Sequence, residues 1–594
     1  FIALMINSFA LAQAVYDPVN PWFPFKTPVS GMFHEQKIDA DGVTGKYTVY
    51  IPKEFGQRRD SVHILVPDDI TAKEFVEEGL GKAWKKLSDK YNIATIYLEP
   101  QNGQKWNISG SSNGRDDIAY IKKVLQNTRS NSKELTASFN QGEVETYLVG
   151  YQEGGIMAHK FAMEWPAYFA GMASVGGSAV PEDYIISKGN EFAYPFIETG
   201  DPESAGREEN QILNKDVPLP VWIIRSSDDA MNSQTIEEYW INANKALKDS
   251  GNSYAKTVYT SIDPYTRVWI TDASEPTPEP EIIFKEFLHE VCRFVGDPCG
   301  RLGKRVSIVA NADGSGFRIN KQMVNGWLRE WITYVPTSYE PGTEVPLVIA
   351  MDGYGAVVRN FVGKARWHDV AEKNHFILII PQNVPVDDGY GFGDLPRPFW
   401  NCAEPLNQAI VPDDVAFFRH IITITKHDYS IDESRVYVTG HSNGAGMTWK
   451  LAFDAPELFT AVAPIGLAMG GFKDYVFESS LLLPVLLLKT EYDVDGGFDL
   501  SPDTNNAKAI EYWKNYNGTE DLPSEEMTIG DFEIKDYSNS KNNAPLVRWV
   551  KVYNAPHSYT PKMAQYVWDS FFSRYSRGKD GTLYYEGKAV NTDF

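Results

Sequence analysis

Residues 435–453 constrain this chain more tightly than any other stretch. Arg435-Val-Tyr-Val-Thr-Gly440 is a short β-branched run, and Ala445-Gly-Met-Thr-Trp-Lys-Leu-Ala-Phe453 has the apolar spacing of a helix. Between them, Gly440-His441-Ser442-Asn443-Gly444 leaves room only for a sharp strand-to-helix turn. A G-x-S-x-G turn in that setting needs a strained backbone at its serine and displays the hydroxyl at the end of a buried strand. The flanking glycines spare the turn a collision with the adjoining strand and helix. These features predict a mostly parallel, doubly wound α/β sheet and a nucleophilic Ser442. A serine in an ordinary loop would explain the pentapeptide by itself, but not the residues downstream.

Downstream, the apolar run Leu481-Leu-Leu-Pro-Val-Leu-Leu-Leu488 reads as a strand buried on both faces, and it delivers Lys489-Thr-Glu-Tyr-Asp493 into a loop. Asp493 is the predicted acid, placed to accept an imidazole N–H and stabilise the imidazolium that forms during attack. Glu491 and Asp495 lie on the same loop and remain alternatives. A further β-rich stretch, Val547-Arg-Trp-Val-Lys-Val-Tyr553, ends in Asn554-Ala-Pro-His557, so His557 is the predicted base. Nucleophile, acid and base thus follow one another in the order that this sheet topology requires.

Stabilising an oxyanion takes backbone N–H groups aimed at the developing charge. Asn443, directly after the nucleophile, supplies one. The loop after the strand Pro346-Leu-Val-Ile-Ala350 reads Met351-Asp352-Gly353-Tyr354-Gly355 and supplies the other, assigned to the Tyr354 N–H. Asp352 stands where many hydrolases carry a histidine. A carboxylate there opposes catalysis unless it turns away into hydrogen bonds.

From about residue 325 onward the chain resembles the polyhydroxybutyrate depolymerase and feruloyl esterase group of secreted α/β-hydrolases. The resemblance rests on Trp367, on Asp369-Val-Ala-Glu-Lys-Asn-His-Phe-Ile-Leu-Ile-Ile-Pro-Gln382, on Phe399-Trp400-Asn401, on Asp413-Asp-Val-Ala-Phe-Phe418, on the elbow, and on Ala509-Ile-Glu-Tyr-Trp-Lys-Asn-Tyr-Asn517. It implies carboxylic ester hydrolysis through an acyl-enzyme, on hydroxycinnamoyl or hydroxyalkanoate esters, with no metal or cofactor. Trp400, Trp367 and Tyr559, together with Tyr354, are candidate walls of an acyl pocket, although aromatic residues usually serve the core.

At 594 residues the chain is about twice the length of one such domain. The surplus repeats the second half in order. Tyr47-Thr-Val-Tyr-Ile-Pro52 echoes Trp331-Ile-Thr-Tyr-Val-Pro336, Lys90 to Asn102 echoes Lys373 to Asn383, and Asp116-Asp-Ile-Ala-Tyr120 echoes Asp413-Asp-Val-Ala-Phe417. The expected architecture is two tandem α/β-hydrolase-like domains, each a mostly parallel doubly wound sheet with helices on both faces. Residues 31–300 form a degenerate first copy and 301–594 a catalytic second, joined near Gly296 to Gly303. The first copy has Gly150-Tyr-Gln-Glu-Gly154 at its elbow, so Gln152 replaces the nucleophile. Asp229 keeps the acid position. Ala273-Ser-Glu-Pro-Thr-Pro278 has no histidine, and Val66-Pro-Asp-Asp69 takes the place of the oxyanion loop.

A net charge of -23, from 56 basic and 79 acidic residues, argues against binding to nucleic acid or anionic membranes. Residues 1–30 are expected to be an apolar arm or the remnant of a signal peptide ending near Ala12-Gln-Ala14, which points to secretion. Cys292 and Cys299 are close enough to bridge, whereas Cys402 has no partner. No metal-ligand cluster or phosphate-binding loop appears in the sequence. The expected partner is a small-molecule or polymer-linked ester, with homo-oligomerisation left open. Two other function classes remain: a serine peptidase of related fold, and a polymer-binding protein without catalysis.

Overall fold

The computed structural model describes residues 30–590 apart from 41, 53–60, 92, 102–104, 110–115, 129–145, 194–212, 228–232, 250–255, 262–265, 295–304, 309–315, 356–357, 387–396, 403–411, 469–480, 494–496 and 540–543. Asp229, Asp495 and Cys299 fall outside the described residues, as does the side chain of Cys292. The chain divides into two compact units, one within Lys26–Val309 and one from Ala310 to Phe594.

The first unit is built on a ten-stranded sheet. Its strands are β1 (Gly31–Ala40), β2 (Val43–Ile51), β3 (Ser61–Leu65), β4 (Ala94–Leu98), β5 (Thr146–Tyr151), β6 (Gly171–Val175), β7 (Val221–Ile224), β8 (Leu247–Lys248), β9 (Lys256–Thr260) and β10 (Arg267–Thr271). They are ordered β1-β2-β4-β3-β5-β6-β7-β10-β9-β8. A separate antiparallel pair, β11 (Val291–Phe294) with β12 (Arg305–Ile308), flanks the segment read as the join.

In the second unit the sheet contains β13 (Phe317–Val324), β14 (Trp327–Tyr334), β15 (Val345–Met351), β16 (Ile377–Pro381), β19 (Ile431–His441), β20 (Ala461–Ile465), β21 (Val485–Tyr492), β22 (Glu525–Ile529), β23 (Phe532–Tyr537) and β24 (Val547–Pro556). A small side pair joins β17 (Val384–Val386) to β18 (Arg397–Phe399). The order β13-β14-β16-β15-β19-β20-β21-β24-β23-β22 repeats that of the first unit position for position. Even the pattern of pairing agrees. In each sheet the central strands run parallel, and antiparallel strands close both edges.

Strand periodicity accounts for the layers. All seven residues of β15 are buried. Val348 and Ala350 pack on one side with Phe361, Val362, Trp367 and Trp568, while Leu347, Ile349 and Met351 pack on the other with Phe417, Phe418, Met447 and Trp513. Alternation with period two thus feeds two separate cores, each roofed by helices, which is why the strand reads as continuously apolar. The parallel strands β15, β19 and β21 end at one rim of the sheet, where ligands bind in folds of this class.

Candidate active site

At that rim β19 ends in His441, and Ser442 opens the helix Asn443–Asp454. Ser442 has φ 55° and ψ -118°, a backbone that residues with side chains rarely adopt. The turn is locked from both sides: Ser442 N donates to Ile465 O at 2.9 Å, and Ala445 N donates back to Ser442 O at 2.8 Å. A Cβ on Gly444 would lie 2.7 Å from Asp352 O, so only glycine permits the elbow to meet the end of β15 so closely.

His557 and Asp493 are hydrogen-bonded, with Nδ1 and Oδ1 2.5 Å apart. The loop read as carrying the acid therefore presents Asp493 to the imidazole. Its second oxygen accepts the Thr490 N–H at 2.7 Å and lies 3.5 Å from the buried Lys489 ammonium. Burial works against the charge of Asp493, but the His557 hydrogen bond and Lys489 outweigh it and hold the carboxyl below its ordinary range. The His557 ring lies 4.6 Å from that of His441, which directly precedes Ser442. Ser442 thus shares the rim with the pair, without a hydrogen bond to His557 among the described residues.

The loop after β15 closes over the serine. A Cβ on Gly353 would stand 2.9 Å from Ser442 Cβ and 3.4 Å from its Oγ, so the backbone leading into Tyr354 passes directly against the serine. The loop carbonyls are tied away from it: Trp400 Nε1 donates to Asp352 O at 3.1 Å, and Asn383 Nδ2 to Gly353 O at 3.2 Å. The Tyr354 ring packs on Phe399 at 5.8 Å. Asn443, the first residue of its helix, has a backbone N–H with no intrahelical acceptor. Its side chain holds the segment 400–402, taking the Trp400 N–H at 2.6 Å and giving to Trp400 O at 3.2 Å and Cys402 Sγ at 3.1 Å.

Asp352 does turn away. Its Oδ1 accepts the Gly353 N–H at 2.8 Å and lies 3.0 Å from the Lys364 ammonium. Although burial opposes its charge, the Lys364 ammonium beside it holds it well below the usual carboxylate range. Lys364 and Lys489 are cations at the site that the sequence reading missed. The signal for Lys489 is a lysine directly after an apolar run, whereas Lys364, in the polar-apolar helix Val358–Ala365, carries none.

The aromatic assignments require correction. Trp400 is 1% exposed, and Trp367 and Tyr559 are 0% exposed. Trp400 packs on Phe418 and braces the loop after β15. Trp367 lies among Phe376, Tyr559 and Phe572, and the Tyr559 hydroxyl meets Thr439 Oγ1 at 3.0 Å. Their ring edges are used up in packing, so these residues frame the site without lining it. Cys402 is free and buried, with its thiol pushed up to about 12 by burial and by Asp414.

In the first unit Gln152 adopts φ 51° and ψ -120°. Strand register matches Leu65 to Gly150 as it matches Met351 to Gly440, so Val66, Asp68 and Glu153 correspond to Asp352, Tyr354 and Asn443. Trp106 Nε1 donates to Val66 O at 2.7 Å, as Trp400 does to Asp352 O. Here, however, the Asp68 N–H points to the Glu153 carboxylate at 3.4 Å. Among the described residues no group of three or more His, Cys, Asp or Glu could hold a metal ion. No described helix is long and apolar enough to cross a membrane.

Residues 324–468 match the family model described as putative esterase. The chain is 24% identical to poly(3-hydroxyalkanoate) depolymerase C of Paucimonas lemoignei, over 36% of this chain and 54% of that protein. It is 30% identical to feruloyl esterase B of Neurospora crassa, over 22% of this chain and 41% of that protein. The chain thus spans about half the length of the curated relatives it matches. Among solved structures, an acetyl xylan esterase from Aspergillus awamori is similar at 16% identity and a TM-score of 0.33, covering 43% of this chain and 98% of that one.

Proposed function

We propose that this chain, whose residues 324–468 match the putative-esterase family model, hydrolyses carboxylic esters with Ser442 as nucleophile. The observation that carries the reading is the 2.5 Å hydrogen bond between His557 and Asp493 beside a serine in a strained elbow. Ser442 Oγ attacks the ester carbonyl while His557 takes its proton. Asp493 orients the ring and stabilises its charge, and the N–H groups of Asn443 and Tyr354 receive the oxyanion. His557 then protonates the departing alcohol, and water resolves the acyl-enzyme by the same route. No step calls for a metal or cofactor.

Likeness to a depolymerase and a feruloyl esterase supports hydroxyalkanoate or hydroxycinnamoyl esters as substrates, and secretion as the setting. The first unit is read as a non-catalytic copy of the second, arising by tandem duplication. Its support is the repeated strand order and the elbow retained at Gln152.

The test is turnover of a hydroxycinnamate ester, a hydroxybutyrate oligomer and a proline-containing peptide by the full chain and by Ser442→Ala. Ester turnover that vanishes in the variant supports the reading. Peptide cleavage alone would move the chain to the peptidases, and binding without turnover would make it a polymer-binding protein.

A further inference from the structure

Three elements converge on one ammonium beneath the elbow. Lys364, on the helix Val358–Ala365, has a side chain only 12% exposed. Its Nζ lies 3.0 Å from Asp352 Oδ1, at the end of β15, and 3.2 Å from His441 Nδ1, at the end of β19. Asp352 and His441 immediately precede the two segments that carry the proposed oxyanion donors. The cation therefore ties together the two strand ends whose separation sets the width of the oxyanion hole.

The contact also bears on a proton. An ammonium can only donate, so a bond from Lys364 to His441 Nδ1 uses the ring's lone pair there and goes with the tautomer protonated on Nε2. His441 is surrounded by Asp352 from β15, Lys364 from the helix, His557 and Tyr559 from the loop after β24, and Asp493 with Lys489 from the end of β21. Burial and the Lys364 charge push the ring down to about 3, so it stays neutral beside His557. Without Lys364, the Asp352 carboxylate 3.4 Å from Nδ1 would draw a proton onto His441. A second imidazolium would then oppose the one that His557 forms during catalysis.

We propose that Lys364 is a positioning residue of the hydrolytic site, clamping Asp352 to His441 so that the oxyanion loop and the nucleophile elbow keep their spacing and His441 stays uncharged. This rests on the esterase reading above.

Lys364→Met alone strands a buried carboxylate and loses stability. The decisive variant is therefore Lys364→Met with Asp352→Asn, which removes both charges. With p-nitrophenyl acetate, the double variant is expected to recover thermal stability yet show kcat lower by about tenfold or more at nearly unchanged KM, the signature of misplaced transition-state donors. Nitrogen-15 spectra of labelled histidine should show His441 neutral and protonated on Nε2 in the wild type, and doubly protonated near pH 6 in Lys364→Met. A double variant whose kcat recovers with its stability, or an unchanged His441 signal in Lys364→Met, overturns the proposal. Fluorophosphonate labelling of Ser442 separates the two readings. A wild-type chain that neither reacts with the probe nor turns over esters refutes the esterase reading, while the His441 signals still decide the clamp.

Discussion

Ser442 and Gln152 share one backbone conformation, φ 55° and ψ -118° against φ 51° and ψ -120°, although only the first carries a hydroxyl. The strain thus belongs to the strand-to-helix turn and not to the serine. Glycine relieves it at either position. Gln152→Gly is expected to stabilise the protein by up to about 1 kcal/mol with ester turnover unchanged. Ser442→Gly should gain similarly while losing turnover. Thermal melts paired with esterase assays check both, and a destabilised Gln152→Gly would show that the turn is not strained.

The hydrogen bond from His557 to Asp493 leads to a ranking of variants. Ser442→Ala should lower kcat by more than about a thousandfold, and Asp493→Asn by about ten-thousandfold, because the amide favours the wrong imidazole tautomer. Glu491→Gln should leave kcat within about twofold, since the carboxylate bonded to His557 Nδ1 is that of Asp493. Steady-state kinetics decide the order. A larger loss in Glu491→Gln than in Asp493→Asn would reassign the acid.

Acid sensitivity follows from two buried histidines. Burial pushes His159 down to about 3, where its Nδ1 accepts from Trp240 Nε1 at 2.9 Å and its Nε2 meets Ser174 Oγ at 2.8 Å. His441 is pushed down to a similar value. Each ring stays neutral when folded but takes a proton when unfolded, near the ordinary value of about 6.5. Between about pH 6.5 and 3 the unfolded chain binds more protons, so stability falls as pH falls, by about 1.4 kcal/mol per pH unit for each ring. Calorimetry at several pH values should show this slope, and His159→Gln should flatten it for the first unit. A slope unaffected by that substitution would contradict the assignment.

Asn443→Ala separates a backbone role from a side-chain role. The variant keeps the proposed oxyanion N–H but leaves the buried Trp400 N–H without its acceptor, a cost of about 1–3 kcal/mol. Lower thermal stability with a moderate loss of kcat is expected. Loss of kcat as severe as in Ser442→Ala would give the amide a direct part in the reaction.

The legible features of this site are those encoded locally. The elbow is five adjacent residues, and Asp493 and His557 each close a strand whose apolar run is plain. The shape of the loop after β15 was not legible, because the partner that turns Asp352 aside is Lys364, on a helix whose placement over the strand ends is a tertiary fact. The aromatic assignments failed for a related reason. Trp400, Trp367 and Tyr559 lie near the site in sequence pattern, but a ring's exposure depends on what packs over it. The paired strand orders were readable only as echoes between the halves, whereas the matching elbow at Gln152 emerged from dihedral angles.

The Glu153 carboxylate at the Asp68 N–H bears on what one substitution could do in the first unit. The turn at Gln152 would accept a serine without rearrangement, yet that serine would find an acid side chain at the matching N–H, a proline at position 67 and no histidine between residues 272 and 279. On the function proposed above, a hydroxyl introduced at position 152 thus arrives without a free donor or a base beside it, so the turn can be shared between the units while the neighbours that the proposed chemistry uses are not.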